Sequence, residues 1–190
     1  MKKADISRET RQALAQSLKK FMAQKSFDKI TVRELLEDCD VSRPTFYYHF
    51  EDIYALLKWT FETELVSLLE KSQNCISWED GVLLAFRYVE QNRKVCLCAY
   101  NSVGREILYR LFHESVSTSI NSFFENIQAD IPAKAEDIAF LKEFYTTALV
   151  GELVQWLRFP NGRSPEDMMR LLDMTLHGNI RAAMLRSAEK

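Results

Sequence analysis

The stretch Thr31-Val32-Arg33-Glu34-Leu35-Leu36-Glu37-Asp38-Cys39-Asp40-Val41-Ser42-Arg43-Pro44-Thr45-Phe46-Tyr47-Tyr48-His49-Phe50 reads as two short helices joined by a tight turn. Thr31 and Glu34 have capping-box spacing, in which the threonine hydroxyl accepts from the Glu34 amide while the Glu34 carboxylate reaches back. Ile30 and Leu35 hold the flanking staple positions, and Val32, Leu35, Leu36 and Cys39 give the first helix an apolar face that ends near Cys39. A turn through Asp40 follows. Ser42 caps the next helix; Pro44 has no amide hydrogen, so the Thr45 amide is the natural donor to the Ser42 hydroxyl. Phe46 and Phe50, one turn apart, anchor this helix inward and leave Arg43, Pro44, Thr45, Tyr47, Tyr48 and His49 distributed toward the outside.

Working outward, Leu14, Leu18, Phe21 and Met22 form one apolar stripe of a preceding helix from about Ser7 to Lys25. After the pair, Ile53, Leu56, Leu57, Phe61, Leu65 and Leu68 repeat at helical spacing in a connecting helix over about 52–71. Further helices are expected near Trp78–Asn92, Lys94–Asn101, Arg105–Gln128, Lys134–Phe159 and Pro165–Ser187. Ser77 with Asp80 and Ser164 with Asp167 mark two of the starts, and Asn161-Gly162 marks a stop. With five Gly and four Pro in 190 residues and few β-branched runs, the chain is expected to be all-α. The expected division is a helix-turn-helix domain over 1–50 and a second helical domain over 51–190.

Composition narrows the function. No run approaches the roughly 18 apolar residues of a membrane span, and Met1 to Arg11 is too polar for a secretory signal, so a soluble, cytoplasmic protein is expected. Cys39, Cys75, Cys96 and Cys98 lack zinc-finger or CxxC spacing and read as reduced thiols. Net charge is −2, unevenly divided: residues 1–50 hold ten Lys/Arg against seven Asp/Glu, a surplus of +3, and residues 51–190 hold fifteen against twenty, or −5. The basic end is where a polyanion would dock.

Two capped helices about a tight turn, the second displaying Arg, Thr, Tyr and His, have the parts needed to enter a major groove. Arg pairs with guanine or phosphate, hydroxyls donate to phosphate oxygens, and Pro and Tyr carbon lies against a thymine methyl. Pattern alone leaves open an ordinary three-helix core. The residues Ile30-Thr31-Val32-Arg33-Glu34-Leu35 and Val41-Ser42-Arg43-Pro44-Thr45-Phe46-Tyr47-Tyr48-His49-Phe50, however, resemble the DNA-binding signature of TetR-type regulators over roughly the first 65 residues. The string from Phe46 to Tyr54, with Trp59, is also similar to a subgroup that includes regulators of dihydroxyacetone kinase operons.

The resemblance implies that Thr31, Thr45 and Tyr47 hold the DNA backbone and that Arg33, Arg43, Pro44, Tyr48 and His49 read or flank bases, with Ser42 in the same interface. Two positions depart from the family pattern: the common turn glycine is Asp40, and a lysine near the start of the connecting helix is Ile53, for which Lys58, Lys2 or Lys3 would have to compensate. It further implies a homodimer on a palindromic operator, acting as a repressor released by a small-molecule effector; no cofactor is expected, and the Cys and His spacing predicts no metal site. Its last two long helices would form the interface, through Leu149, Gly151, Leu153, Trp156, Leu172, Leu176 and Ile180. Effector-pocket residues are not identified; His113, Ser115, Ser117, Thr118, Ser119 and Ser122, or Arg87, Arg93 and Arg105, are the polar groups at hand. Two rivals remain: a regulator or activator dependent on a protein partner, and a small enzyme using His113 with Cys96 or Cys98, or His177 with Asp173. No Gly-rich phosphate loop, nucleophile elbow or HExxH motif supports the enzyme.

Overall fold

In the computed structural model, which describes residues 3–72, 77–128, 131–176 and 178–188, the capping signals of the sequence become helix ends. Helix α1 (Lys3–Met22) leads through a 3₁₀ turn (Phe27–Lys29) to α2 (Val32–Cys39), α3 (Arg43–His49) and α4 (Ile53–Ser72). Then follow α5 (Trp78–Gln91), α6 (Arg93–Tyr100), α7 (Arg105–Gln128), α8 (Ala135–Arg158), α9 (Pro165–Leu176) and α10 (Asn179–Ala188). No strand occurs among the described residues. Cys75, His177 and Lys2 lie outside them, as does the side chain of Lys3.

Two compact units form. One takes the chain up to Glu64 together with Asn92–Leu108; the other takes Leu65–Gln91 and the chain from Tyr109 onward. The first unit thus runs past residue 50 and includes α6. Its interior is built from Leu14 and Leu18 of α1, Leu35 of α2, Phe46 of α3, Leu56, Leu57 and Phe61 of α4, and Cys96 of α6, all essentially without solvent exposure. Gly104 packs so closely that a Cβ would stand 3.1 Å from Leu57 Cδ2 and 3.3 Å from the Ala99 Cβ.

In the second unit, α5 packs on α8 and α9, and α10 on both of those. The expected single helix Pro165–Ser187 is two helices, because Gly178 takes a left-handed backbone (φ 75°) between α9 and α10. The apolar periodicity runs through this point and conceals the break. Four residues expected at a dimer interface are turned inward: Leu149, Leu153, Trp156 and Ile180 are at most 4% exposed. Trp156 sits edge-on to Phe86 at 5.3 Å and donates through Nε1 to the Arg163 carbonyl at 3.0 Å. These four side chains are spent on the unit's own core. Gly151 is open, with nothing within 4 Å of a Cβ built on it, and Leu172 and Leu176 are half-buried.

The tightest approach in this unit is at Gly81 of α5, where a Cβ would stand 1.9 Å from Ser119 Oγ and 2.6 Å from Ser119 Cβ of α7. Overpacking a core of this density costs about 1–3 kcal/mol. Gly81→Ala should therefore lower the thermal midpoint despite the better helix propensity of alanine, and adding Ser119→Gly should restore most of the loss, as read by circular dichroism melts.

Candidate nucleic-acid interface

Helix α3 has only seven residues, too few to persist alone in water, so each end and its inner face are fixed by neighbours. At its start Ser42 Oγ accepts from the Thr45 amide at 3.4 Å and shares a proton with Thr45 Oγ1 at 2.7 Å. The turn before it is closed by Asp40, whose left-handed backbone (φ 51°, ψ 44°) occupies the position of the family's glycine. An aspartate enters this region more readily than most residues. Inward, Phe46 is fully buried, and Phe50 lies 5.8 Å from the ring of Trp59 on α4. Arg11 of α1 stacks its guanidinium over the other partner of that contact, 5.4 Å from the Trp59 ring.

The outer face is what the fold leaves over. Tyr47 is 51% exposed and Tyr48 77%, the latter among the most exposed large apolar side chains of the protein. Ser42, Arg43 and Pro44 are exposed, while Thr45 and His49 are half-buried. Arg43 reaches over the Tyr47 ring at 5.9 Å, and Tyr48 meets His49 edge-on at 4.9 Å. Burial, and next the charge of Arg11, hold the His49 imidazole below its ordinary 6.5, which favours the neutral ring. The structure thus brings Ser42, Arg43, Pro44, Thr45, Tyr47, Tyr48 and His49 together on one short helix and its cap.

Thr31 and Arg33 stand at the start of α2. The capping box is complete: the Glu34 amide donates to Thr31 Oγ1, and the Glu34 carboxylate accepts from both the Thr31 amide and the Thr31 hydroxyl at 2.9 Å. The hydroxyl proton of Thr31 is therefore already committed within the helix. Arg33 is exposed and bonded to Glu37. At the start of α4 the cap is Asp52, whose Oδ1 accepts from the Ala55 amide at 2.7 Å, and Ile53 is half-buried. Lys58 lies 3.9 Å from Glu62 on the exposed side of α4. Three ion pairs hold the carboxylates of α2: Lys20–Asp38, Lys25–Glu34 and Arg33–Glu37. Only the last had a readable signal, its four-residue spacing, since the other two join residues brought together by folding.

The rival constellations fare differently. Among the described residues no group of three His, Cys, Asp or Glu is arranged to hold a metal. The Cys96 thiol is pushed up to about 12, chiefly by burial and then by Glu64, which leaves it a poor nucleophile at neutral pH. His113 lies 3.7 Å from Glu143. On α7 the hydroxyls of Ser117, Thr118, Ser119 and Ser122 turn back onto the helix's own carbonyls, and Ser115 Oγ is buried with no partner. Arg87 bonds Glu166 at 3.0 Å, and Arg105 the Tyr100 carbonyl at 2.9 Å. No described helix is long and apolar enough to cross a membrane.

A capped helix-turn-helix presenting an aromatic, basic outer face defines a DNA-binding transcriptional regulator, and two family models agree. Residues 18–58 match the model for bacterial regulatory proteins of the tetR family, and residues 77–178 match a transcriptional regulator C-terminal region. The chain belongs to the TetR family. Within it, the likeness runs to DhaS-type regulators: the HTH-type dhaKLM operon transcriptional activator DhaS of Lactococcus lactis subsp. lactis (strain IL1403) is 29% identical over 93 residues, 49% of this chain. That match spans about half, 48%, of the relative's length. The fold is shared with a solved dihydroxyacetone kinase operon activator DhaS, at a TM-score of 0.75 and 19% identity over 91% of this chain and 97% of that one. It is shared also with a TetR transcriptional regulator from Streptococcus agalactiae 2603V, at 0.66 and 20% over 92% and 97%.

The capping carboxylate offers a direct check. Glu34 is lowered from an ordinary 4.5 to about 2, first by the hydrogen bond from Lys25, then by those from the Thr31 amide and hydroxyl. A carboxylate depressed by folding stabilises the native state above its unfolded value and loses that contribution as pH falls toward its folded one. A carbon-detected NMR titration should show Glu34 protonating near pH 2, and Lys25→Met should move the midpoint upward. A midpoint near 4.5 in the folded wild type would contradict the assigned bonds.

Proposed function

We propose that the protein binds a palindromic operator as a homodimer, with α3 of each protomer in the major groove and α2 across the phosphate backbone. The outer face of α3 carries the reading: two exposed tyrosines, an arginine and a proline stand over a fully buried Phe46, a display from which the fold gains little beyond the edge contact of Tyr47 with Phe46 at 5.4 Å. Thr45 and Tyr47 suit phosphate oxygens; Arg43, Pro44, Tyr48 and His49 suit base edges and thymine methyls. Ser42 and Thr31 act chiefly through the caps that set the two helices, and Arg33 reaches toward the backbone. Two copies of α3 about 34–36 Å apart would match one DNA turn.

A second copy of the chain is supported by the surface of α8. Phe140 and Phe144, 68% and 53% exposed, stack at 6.1 Å, and at the same helical spacing follow Ala148 and the open Gly151. Beside them lies a groove of about 430 Å³ lined by Ala148, Leu172, Thr175 and Leu176, with Met174 of the same helix 70% exposed. An apolar band of this extent marks an association surface, and a two-fold interface places the same patch on both protomers. Within the expected interface, Gly151, Leu172 and Leu176 keep that role, and the exposed aromatics of α8 join them.

The sense of control follows the relative. The name of the Lactococcus protein, an operon transcriptional activator, favours activation over effector-released repression. A small-molecule effector or a protein partner acting through the second unit remains part of the proposal, and the setting is the cytoplasm.

Selection from random duplex DNA with the full chain should enrich a palindrome, and placing it upstream of a reporter should raise expression when the protein is supplied. A fall in expression would establish repression instead. Tyr47→Ala should weaken binding to the selected site about tenfold, equivalent to ~1.4 kcal/mol, with no change in melting or in sedimentation; unchanged affinity would sink the assignment to α3. Phe144→Glu should shift the protein toward monomer in analytical ultracentrifugation and weaken binding to the full palindrome more than to a half-site.

A further inference from the structure

The three carboxylates of α2 each hold a cation, and the three pairs differ in kind. Glu34 takes Lys25 and Asp38 takes Lys20, and both pairs tie α2 to the segment before it. Glu37 takes Arg33, one turn back on the same helix, through Nε at 2.7 Å, with the side chains 63% and 82% exposed. An exposed i,i+4 pair of this sort fastens no two elements together and adds little to stability. Its effect is therefore sought on the surface and not in folding.

Arg33 is the only cation of α2, and in a helix-turn-helix this is the helix that crosses the phosphate backbone. Engagement of Nε leaves the outer edge of the guanidinium, formed by its two Nη groups, turned to solvent. That edge grips a phosphate or a guanine in bidentate fashion. The guanidinium is therefore oriented and partly neutralised at once.

We propose that Glu37 is a specificity-determining residue of the DNA interface, acting through Arg33 as a positioning counter-charge. On non-operator DNA the Glu37 carboxylate competes with phosphate for the guanidinium, so Arg33 adds little indiscriminate affinity. On the operator the α3 contacts fix the register, and the outer edge of Arg33 meets its acceptor without leaving Glu37. The inference rests on the reading of α2 and α3 as the DNA interface.

The test is a double-mutant cycle with Glu37→Gln, which keeps size and acceptor but removes the charge, and Arg33→Met. Binding is measured for the selected operator and a scrambled duplex over a range of salt. Glu37→Gln should tighten binding to the scrambled duplex about three- to tenfold at low salt, the size of one unit-charge interaction screened by bulk water, as suits so exposed a pair. It should also steepen the salt dependence there by about one ion. Operator affinity should change less than about twofold, so discrimination falls, and in the Arg33→Met background the same substitution should change neither quantity. Unaltered discrimination overturns the proposal, and so does an equal gain with Arg33 absent, which would mark generic repulsion. A wild-type protein that prefers no sequence overturns the interface reading and this inference with it, an outcome distinct from discrimination that Glu37→Gln leaves intact.

Discussion

One ammonium group joins three separate stretches of the first unit. Lys19, on α1, bonds the carboxylate of Glu64 on α4 and, at 2.7 Å, the side-chain oxygen of Asn92 immediately before α6. Lys19 and Glu64 are only 17% and 23% exposed, so this is a pair largely withdrawn from water, of the kind whose disruption leaves an uncompensated charge. Its effect is positional. It pins α6 to α1 and α4, with Cys96 fully buried against them, and explains why a segment beginning at Asn92 belongs to the same unit as the helix-turn-helix. A second stitch, from the Cys98 thiol to the Lys25 carbonyl at 3.5 Å, holds the other face of α6 to the turn that follows α1.

That joint was invisible in the sequence because its partners are 45 and 73 residues from Lys19. Local chemistry was legible: the Thr31–Glu34 box, the Ser42, Ser77 and Ser164 caps, the Asp40 turn and the inward Phe46 and Phe50 all involve groups within a few residues of each other. So was the exposure of Arg43, Pro44, Tyr47 and Tyr48, since these are the residues left when the inner ones are assigned. Facing was harder on α8, where Leu149, Leu153 and Trp156 form as good a stripe as Phe140, Phe144 and Ala148. A helix apolar on two sides does not say which side meets the core. Burial decides it, and burial depends on α5, α9 and α10. The split at Gly178 was missed for a related reason, because periodicity continues on both sides of a single left-handed residue.

Charge shows the same limit. The surplus of +3 over residues 1–50 suggests a surface ready for polyanions, yet Lys19, Lys20, Lys25 and Arg33 all have carboxylate partners in the folded unit. Cations held this way release fewer counterions on meeting DNA than their number suggests. In the proposed interface, affinity then depends more heavily on the few groups α3 presents.

The two faces of α3 answer to different demands. Its inner face and ends are fixed by Ser42, Phe46 and Phe50, without which seven residues would not stay helical. The outer face contributes almost nothing to that stability: Tyr48 is 77% exposed, and Arg43 touches only a neighbouring ring. Substitutions there are expected to leave the scaffold intact, because surface changes away from caps and cores are nearly neutral for folding. The departures at Asp40 and Ile53 fit this division. Asp40 closes α2 and Ile53 opens α4, and at each the backbone is satisfied by a local solution, a left-handed aspartate in one case and a helix start capped by Asp52 in the other. The scaffold keeps its geometry by such local substitutes, which leaves the outer face of α3 largely free of structural duty.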